Sequence, residues 1–362
     1  MKLASVSIEN CRKIETANLD LSPSINLIIG KNGSGKTSIV EALSILSSGR
    51  SFQTRSISEV IKSGREKLLI TAKLEVDGTI SHVGIEKHPH ETRIRINKKN
   101  IRSQAELSQY IPVTIIHPDS IKLIVGSPKE RRSYLDWIGF YLLPEYHQQW
   151  KHHQRILKQR NAYLRTQNIG DDFDYWTREL IAAQSILHEK RLLIVSLLSE
   201  EIDFFRELLL SNSEISVDLS NGFSKVETFE DCNTLVFYQS KLQQELKMRR
   251  TLYGIHRSDM GIFLDNSPAH ISASRGQLKL LSTLLLLAQS NIIRTRDELS
   301  GLVIVDDMTS ELDEFNQSIL LDTLNQLKQQ VLLTAPVLSK VFNKYEMKMF
   351  HVKHGVIFES GS

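Results

Sequence analysis

Cysteine is nearly absent: Cys11 and Cys232 are the only two among 362 residues. They stand far apart and in no metal-type spacing. That excludes a disulfide-stapled framework and a cysteine-rich zinc module; one bridge between the two is conceivable, and a reduced cytosolic compartment is the simpler reading. Long apolar runs are absent too. The most apolar stretch, "LKLLSTLLLLAQ", is too short and too interrupted to span a bilayer. The start, "MKLASVSIENCRKI", lacks the apolar segment of a signal peptide. The chain therefore reads as soluble and cytoplasmic, with no membrane partner. Nor is there an internal repeat, a low-complexity tract, or a heptad seam sustained enough for a coiled-coil rod. Charge is almost balanced, 45 Lys and Arg against 42 Asp and Glu, leaving +3. That is compatible with nucleic acid without arguing for it. What remains is ordinary globular usage, 41% hydrophobic and 24% charged, and a length that favours two domains or one domain with a large insertion.

The texture changes twice along the chain. "KLASVSIENC", "INLIIG", "LLITAKLEVD", "ISHVGIEKH", "TRIRINKKN" and "YIPVTIIHPDS" read as strands, several divided by turn residues, and predict an antiparallel sheet. From about residue 129 to 248 the segments are long and helical. One stripe at helical spacing runs through Leu180, Ala183, Leu187, Ile194, Leu198, Ile202, Phe205 and Leu209. "SEISVDLSNGFS" reads as a strand and turn inside this region. From residue 253 strands and helices alternate ("MGIFLDN", "RGQLKLLSTLLLLAQSNIIR", "GLVIVDD", "EFNQSILLDTLNQL", "QQVLLTAP"), which predicts a parallel sheet. The expected division is a head formed by residues 1–127 and 253–362, with residues 128–252 as an inserted, mainly helical lobe.

The chemistry starts at "INLIIGKNGSGKTSIVEAL". Gly30, Lys31, Asn32, Gly33, Ser34, Gly35, Lys36 and Thr37 form a Walker A pattern, followed by Ser38, with a strand before and an amphipathic helix after. Its glycines let backbone N–H groups curl around phosphate oxygens. Lys36 is expected to reach the β- and γ-phosphates of ATP and Thr37 to hold Mg²⁺. The partner motif is "GLVIVDDMTSELD". Asp306 ends a buried strand, where a carboxylate supports Mg²⁺; Asp307 is placed to orient or deprotonate water. For Asp307 a second reading stays open, an acidic strand end that caps the next helix.

"ASRGQ" at residues 273–277, read after the phosphate loop and before the Asp-Asp strand, resembles the signature motif of ABC-type ATPases. Ser310-Glu311-Leu312-Asp313 resembles their D-loop. The resemblance implies that Ser274 and the amides around Gly276 meet the γ-phosphate of ATP on an opposite subunit, with Arg275 and Gln277 as weaker contacts and Asp313 beside them. The plain alternative is an N-cap at Ser274.

Further stretches extend the likeness: "GRSFQT" at 49–54, "GSPKERRSYLD" at 126–136, "GIHRSDMGIFLDN" and "VIVDDMTSELD". Together they resemble the RecF family of bacterial recombination-repair proteins nearly end to end. The resemblance implies an α/β fold, an ABC/SMC-type P-loop ATPase head with an antiparallel β subdomain and an inserted helical lobe. It implies a weak, DNA-stimulated ATPase, an ATP-dependent homodimer, double-stranded and gapped DNA as partner, and the RecO and RecR mediators that load RecA. Asp-Asp in place of Asp-Glu accords with slow hydrolysis. Some positions depart from the family pattern. Cys11-Arg12-Lys13 stands where Phe-Arg-Asn is usual, though Arg12 still matches the arginine that reaches nucleotide phosphate. His117-Pro118-Asp119 occupies the Q-loop place. "GIHRSD" lacks an expected Pro and Asp. Thr334 replaces the transporter switch histidine, either as a γ-phosphate contact or as a plain strand-end threonine. The alternatives are a transporter ATPase subunit, whose signature lies closer to its P-loop, and an SMC-like chromosome-organising head, which needs longer arms.

Residues 147–170 contain no acid. Lys151, Arg155, Lys158 and Arg165 fall on one helical face, suited to DNA phosphates without reading sequence; a solvated basic face is the bland reading. Arg131 and Arg132 suit either phosphate or carboxylates that join the lobes. His152-His153 is discounted as a metal pair, since adjacent helical residues point apart.

Overall fold

The computed structural model describes residues 1–76, 78–167, 169–223, 234–296, 300–309 and 312–359. Cys232 and two residues of the expected D-loop, Ser310 and Glu311, lie outside them. The chain divides into two compact units. The first comprises Met1–Ser120, Glu207–Ser211 and Lys279–Ser362; the second comprises Ile121–Arg206 and Asn212–Leu278.

The chain opens with β1 (Lys2–Cys11), β2 (Ile14–Asp20), β3 (Ile25–Ile29), α1 (Lys36–Ser48), β4 (Leu68–Val76), β5 (Thr79–Lys87), β6 (Thr92–Ile96), β7 (Lys99–Ile101), α2 (Gln104–Tyr110) and β8 (Val113–Ile116). Next come α3 (Lys122–Val125), α4 (Pro128–Leu142), α5 (Tyr146–Thr166), α6 (Asp171–Leu209), β9 (Ile215–Leu219), α7 (Thr234–Met248), β10 (Met260–Leu264), β11 (Ser267–Pro268), α8 (Ala269–Ser272) and α9 (Arg275–Arg296). It closes with β12 (Leu302–Val305), α10 (Glu314–Gln326), β13 (Gln330–Ala335), β14 (Lys348–Lys353) and β15 (Val356–Glu359).

Two sheets build the first unit. One is antiparallel, in the order β2-β1-β4-β5-β6-β7; the other runs β15-β14-β3-β13-β12-β8. In the second sheet β14, β3, β13, β12 and β8 are parallel, and β15 pairs antiparallel at the edge. The patterns explain the difference. β3, β12 and β13 are buried at every position, as central parallel strands covered on both faces must be. β4 alternates buried and exposed along most of its length, as a sheet with one wet face does. The core joins the inner face of the antiparallel sheet (Leu3, Ile8, Ile70, Ile85) to α1 (Ile39, Leu43, Leu46) and to the parallel strands (Ile28, Ile304, Leu332). α1 is buried nearly all round.

"TRIRINKKN" is not one strand. It folds back on itself, with Ile96 paired to Lys99 across a two-residue turn. Asn97 (φ 48) and Lys98 (φ 68) both take positive φ, the requirement of a tight hairpin whose twist matches its strands. β2, α2, β14 and β15 also lie beyond the strands and helices expected from sequence.

The second unit is mostly helical, with a small sheet in the order β11-β10-β9. All eight residues of the α6 stripe from Leu180 to Leu209 are buried. Residues 253–278, expected with the head, fall in this unit instead. The reason is backbone pairing: β10 binds β9 antiparallel, Met260 opposite Leu219 through Leu264 opposite Ile215. Arg160 sits in the unit's interior with no exposed surface. It pairs with Glu245 at 2.7 Å, donates to Thr177 and Thr251, and lies over the Phe173 and Tyr238 rings. Arg131 is a carboxylate clamp within this unit: it binds Asp259 at 2.7 and 2.9 Å and donates to the Ile124 and Gly126 carbonyls. Arg132 donates to the Ser258 carbonyl.

Candidate functional site

β3 ends in the loop 30–35, and α1 begins directly after it. Gly33 (φ 75) and Gly35 (φ 121) hold conformations that a side chain strains. Gly30 has no room for a side chain: a Cβ there would stand 2.5 Å from the Val352 carbonyl oxygen. Gly35 caps α1 without any side-chain hydrogen bond, which leaves first-turn N–H groups available to an anion. The Lys36 ammonium donates to the carbonyls of Gly30 at 2.5 Å and Lys31 at 3.3 Å. Burial lowers its pKa, while Asp307 and Asp306 act the other way. The Ser34 hydroxyl is buried without a hydrogen-bond partner.

β12 carries the carboxylates to the same place. Thr37 Oγ1 stands 3.5 Å from Asp306 Oδ1. Thr334, at the end of the neighbouring β13, donates its hydroxyl to Asp306 Oδ1 at 2.7 Å and accepts from the Asp307 N–H at 2.8 Å. Asp307 itself has φ 56, so the chain turns sharply just where the second carboxylate is presented. Thr334 has no exposed surface, and its hydroxyl proton is committed to Asp306. Of the two readings of Thr334, γ-phosphate contact or plain strand-end threonine, the structure shows a strand-end hydroxyl hydrogen-bonded to the aspartate pair.

These groups border a cleft of about 450 Å³, lined by Asn32, Gly33, Gly35, Lys36, Thr37, Ser38, Asp306, Asp307 and Arg12. Gly30, Lys31 and Ser34 form the loop beneath without lining it. Arg12 reaches the cleft with its guanidinium engaged: Nε and Nη2 bind Glu41 at 2.7 and 2.9 Å, and Nη1 donates to the Glu59 carbonyl. The hydrogen bond to Glu41 raises its pKa. Burial, with Glu41 second, pushes the neighbouring Cys11 thiol up to about 12, so this free cysteine is a packing residue.

Three further residues line the cleft and escaped the sequence reading: Lys13, Glu41 and Gln53. Lys13 donates to the Gly33 carbonyl at 2.8 Å. Gln53 lies in "GRSFQT", a stretch that carried resemblance but no assigned role. No spacing rule links it to the phosphate loop; tertiary packing does.

The signature stretch belongs to the second unit. Ser274 and Gln277 form a reciprocal capping box: the Ser274 N–H donates to Gln277 Oε1 at 2.9 Å, and the Gln277 N–H donates to Ser274 Oγ at 3.3 Å. The N-cap reading is thus real. It does not account for Gly276: Ser274, Arg275 and Gly276 are exposed, and a Cβ on Gly276 would meet nothing within 4 Å. The chain's own packing does not require glycine there. Asp313 caps α10, accepting from the Asn316 N–H.

On α5, Lys151, Arg155, Lys158 and Arg165 are all exposed, while His153, Ile156, Arg160 and Leu164 occupy the buried side. Arg155 contacts His152 Nδ1 at 3.3 Å, and Arg165 donates to the Asn161 carbonyl.

The family model described as the RecF/RecN/SMC N terminal domain matches residues 2–357. The DNA replication and repair protein RecF of Shewanella loihica is 32% identical over 359 residues, 98% of each chain. That of Shewanella halifaxensis is 32% identical over 361 residues. Among solved structures, the recombination mediator protein RecF with ATP, of the RecFOR pathway, superposes with a TM-score of 0.88 at 22% identity, covering 99% of this chain and 98% of that one. An Smc head bound to the C-winged helix domain of ScpA gives 0.61 at 14% identity, over 99% of this chain and 97% of that one. These two share the fold, an SMC-type ATPase head. The model match and the end-to-end relatives together show that the chain belongs to the RecF family.

Proposed function

We propose that this chain is an ATP-controlled DNA-binding protein of replication and recombinational repair, acting in the cytoplasm. The observation that carries the reading is the convergence of Lys36, Thr37 and the Asp306–Asp307 pair on one cleft, brought there by two segments far apart in the chain. The residues suit the nucleotide and its cation. The unpartnered Ser34 hydroxyl and the uncapped start of α1 offer donors to phosphate oxygens. Thr37 and Asp306 would offer hard oxygens to Mg²⁺.

Bound ATP supplies the transferable γ-phosphoryl group, and Mg²⁺ offsets its charge. Lys36 exchanges its two carbonyl acceptors for phosphate oxygens. Asp306, held by Thr334, keeps its carboxylate toward Thr37. Asp307 accepts the proton of the attacking water. Its short side chain makes that step slow, so hydrolysis serves as a release switch, and DNA accelerates it. Gly276 completes the picture: the exposed helix start at Ser274 receives the γ-phosphate held by a second copy, and a side chain at Gly276 would obstruct that approach. ATP thereby closes a homodimer that clamps duplex DNA near gaps. The α5 face supplies cations for the DNA backbone. The relatives' place in the RecFOR pathway supports RecO and RecR as partners.

The transporter reading is set aside by family membership. The SMC-like reading shares the fold but not the arms: α6, with 39 residues, is about 60 Å long. The test is anisotropy of a labelled gapped duplex, with and without ATP and Mg²⁺. Binding that strengthens with ATP in the wild type and not in Lys36→Ala supports the proposal; ATP-indifferent binding contradicts it.

A further inference from the structure

Residues 254–259 of the second unit are gripped by arginines. Arg191 on α6 donates to the Ile255 carbonyl and the Ser258 hydroxyl, both at 3.0 Å. Arg131 on α4 holds both carboxylate oxygens of Asp259, and Arg132 donates to the Ser258 carbonyl at 2.6 Å. The Gly254 N–H binds the Gly222 carbonyl at 3.1 Å, and a Cβ on Gly222 would collide with the Gly254 carbonyl. The segment is thus fixed from several sides. It carries a fourth arginine, Arg257, whose side chain is exposed and whose N–H donates to the Gly254 carbonyl at 2.7 Å. Such bracing makes a rigid mount for that side chain.

The charges here do not balance. Asp259 is committed to Arg131, and Asp136 to Arg191, Tyr146 and Trp150. The next acid, Asp218 on β9, accepts from the Gly261 N–H. Glu130 lies two residues before Arg132, on the opposite side of α4, whereas Lys129, one turn before it, shares its side. Arg132 and Arg257 therefore have no carboxylate partner among the described residues. His256, within electrostatic reach of both, is kept neutral by burial. Burial and then Arg191 lower the Arg132 pKa; Arg257 adds to this, while Asp259 and Asp136 oppose it. A half-buried cation so placed is stabilised by an anion from outside the chain.

A planar carboxylate is filled by one guanidinium fork, as Asp259 is by Arg131. Two forks mounted on separate elements suit the tetrahedral oxygens of phosphate. We infer that Arg132 and Arg257 form a surface site for a phosphate group. It uses neither the phosphate loop nor the α5 face. Two sources offer that group, free phosphate and the backbone of DNA; with the second, the inference rests on the DNA-binding reading above.

Two titrations separate the sources, each comparing Arg257→Gln and Arg257→Lys with their parent. The Arg257 side chain makes no hydrogen bond among the described residues, so neither substitution removes a support of the fold. In the first, inorganic phosphate is titrated against sodium chloride of equal ionic strength, and thermal unfolding is followed. The full chain used there carries Lys36→Ala, which weakens the competing phosphate loop. In the second, a labelled duplex is titrated with ATP and Mg²⁺ at several salt concentrations. If the source is free phosphate, Arg257→Gln should weaken phosphate binding by about tenfold. If it is DNA, Arg257→Gln should weaken duplex binding by about tenfold and lower the salt slope by about 0.9, one phosphate contact. In either case lysine, which keeps the charge and loses the fork, should restore only part. Arg257→Gln that changes neither titration, or a parent that responds to neither probe, overturns the inference. A parent that binds phosphate through Arg257 but no duplex supports the site and contradicts the DNA-binding reading alone.

Discussion

Thr334 and Asp306 form one buried unit: the threonine hydroxyl donates to the carboxylate at 2.7 Å while receiving the N–H of Asp307 at 2.8 Å. One side chain on β13 thus orients both acids that end β12. Thr334→Val keeps the shape and removes the hydroxyl. A hydrogen bond to a charged group is worth about 1.5–3 kcal/mol, so ATP turnover should fall by roughly tenfold to a hundredfold. ATP affinity should change less, and Thr334→Ser should restore most of the rate. Equal losses in Thr334→Val and Thr334→Ser would point to packing instead.

Nucleotide binding should register as stability. At about a hundred times its dissociation constant, ATP adds about 2.7 kcal/mol to a protein that binds it only when folded. Thermal unfolding of the wild type should move upward with ATP and Mg²⁺, and that of Lys36→Ala should not move. A shift retained in the variant would place the nucleotide elsewhere.

Arg160 and Glu245 are both fully buried. Removing one partner leaves the other as an uncompensated interior charge. Arg160→Leu should destabilise the protein by about 3–5 kcal/mol, and Arg160→Leu with Glu245→Gln should recover part of that. Urea midpoints measure both.

Acid should weaken the second unit before the carboxylates protonate. Burial pushes His153 down to about 3, with His256, Arg191 and His152 adding to it. It also pushes His256 down to about 4, with Arg257, Arg132 and Arg160 in the same direction. Both imidazoles therefore stay neutral in the folded chain while they take up protons in the unfolded one. Stability is full above the unfolded value of about 6.5 and falls as pH drops toward 4, by up to about 1.4 kcal/mol per pH unit for each histidine. Replacing His153 with Gln should flatten the slope of urea stability between pH 6.5 and 4.5; an unchanged slope would assign the acid sensitivity to other groups.

If the α5 face meets DNA phosphates, its loss should change the salt dependence of binding. Each neutralised phosphate contributes about 0.9 to the slope of log K against log salt. Alanine at Lys151, Arg155, Lys158 and Arg165 together should reduce the slope by up to about 3.6. A slope that does not change would make this a solvated face.

Sequence carried the local parts of this structure well. The buried line from Leu180 to Leu209 follows from helical spacing, and the phosphate loop follows from glycines set between a strand and a helix. What escaped depended on distant contacts or on turn geometry. Asn97 and Lys98 break a polar-apolar alternation that otherwise looks continuous. The 253–278 segment resembles the start of the parallel sheet, but β10 finds its partner in β9. Lys13 and Gln53 reach the cleft only through tertiary packing, whereas Glu41 follows Thr37 by one turn of α1 and was overlooked. Thr334 was legible as a strand end, not as the group that holds Asp306. Ser274 was read both as cap and as phosphate contact; the capping box fixes the first reading and leaves the second to the exposed Gly276.

The most direct measurement is molar mass by light scattering, with and without ATP and Mg²⁺, for the wild type, Ser274→Arg and Ser274→Asp. Aspartate is as good an N-cap as serine, so it keeps the start of α9 and opposes only an incoming phosphate. The account predicts an ATP-dependent doubling of mass in the wild type and none in either variant. A wild type that binds ATP yet stays monomeric, or an aspartate variant that dimerises as the wild type does, would contradict it.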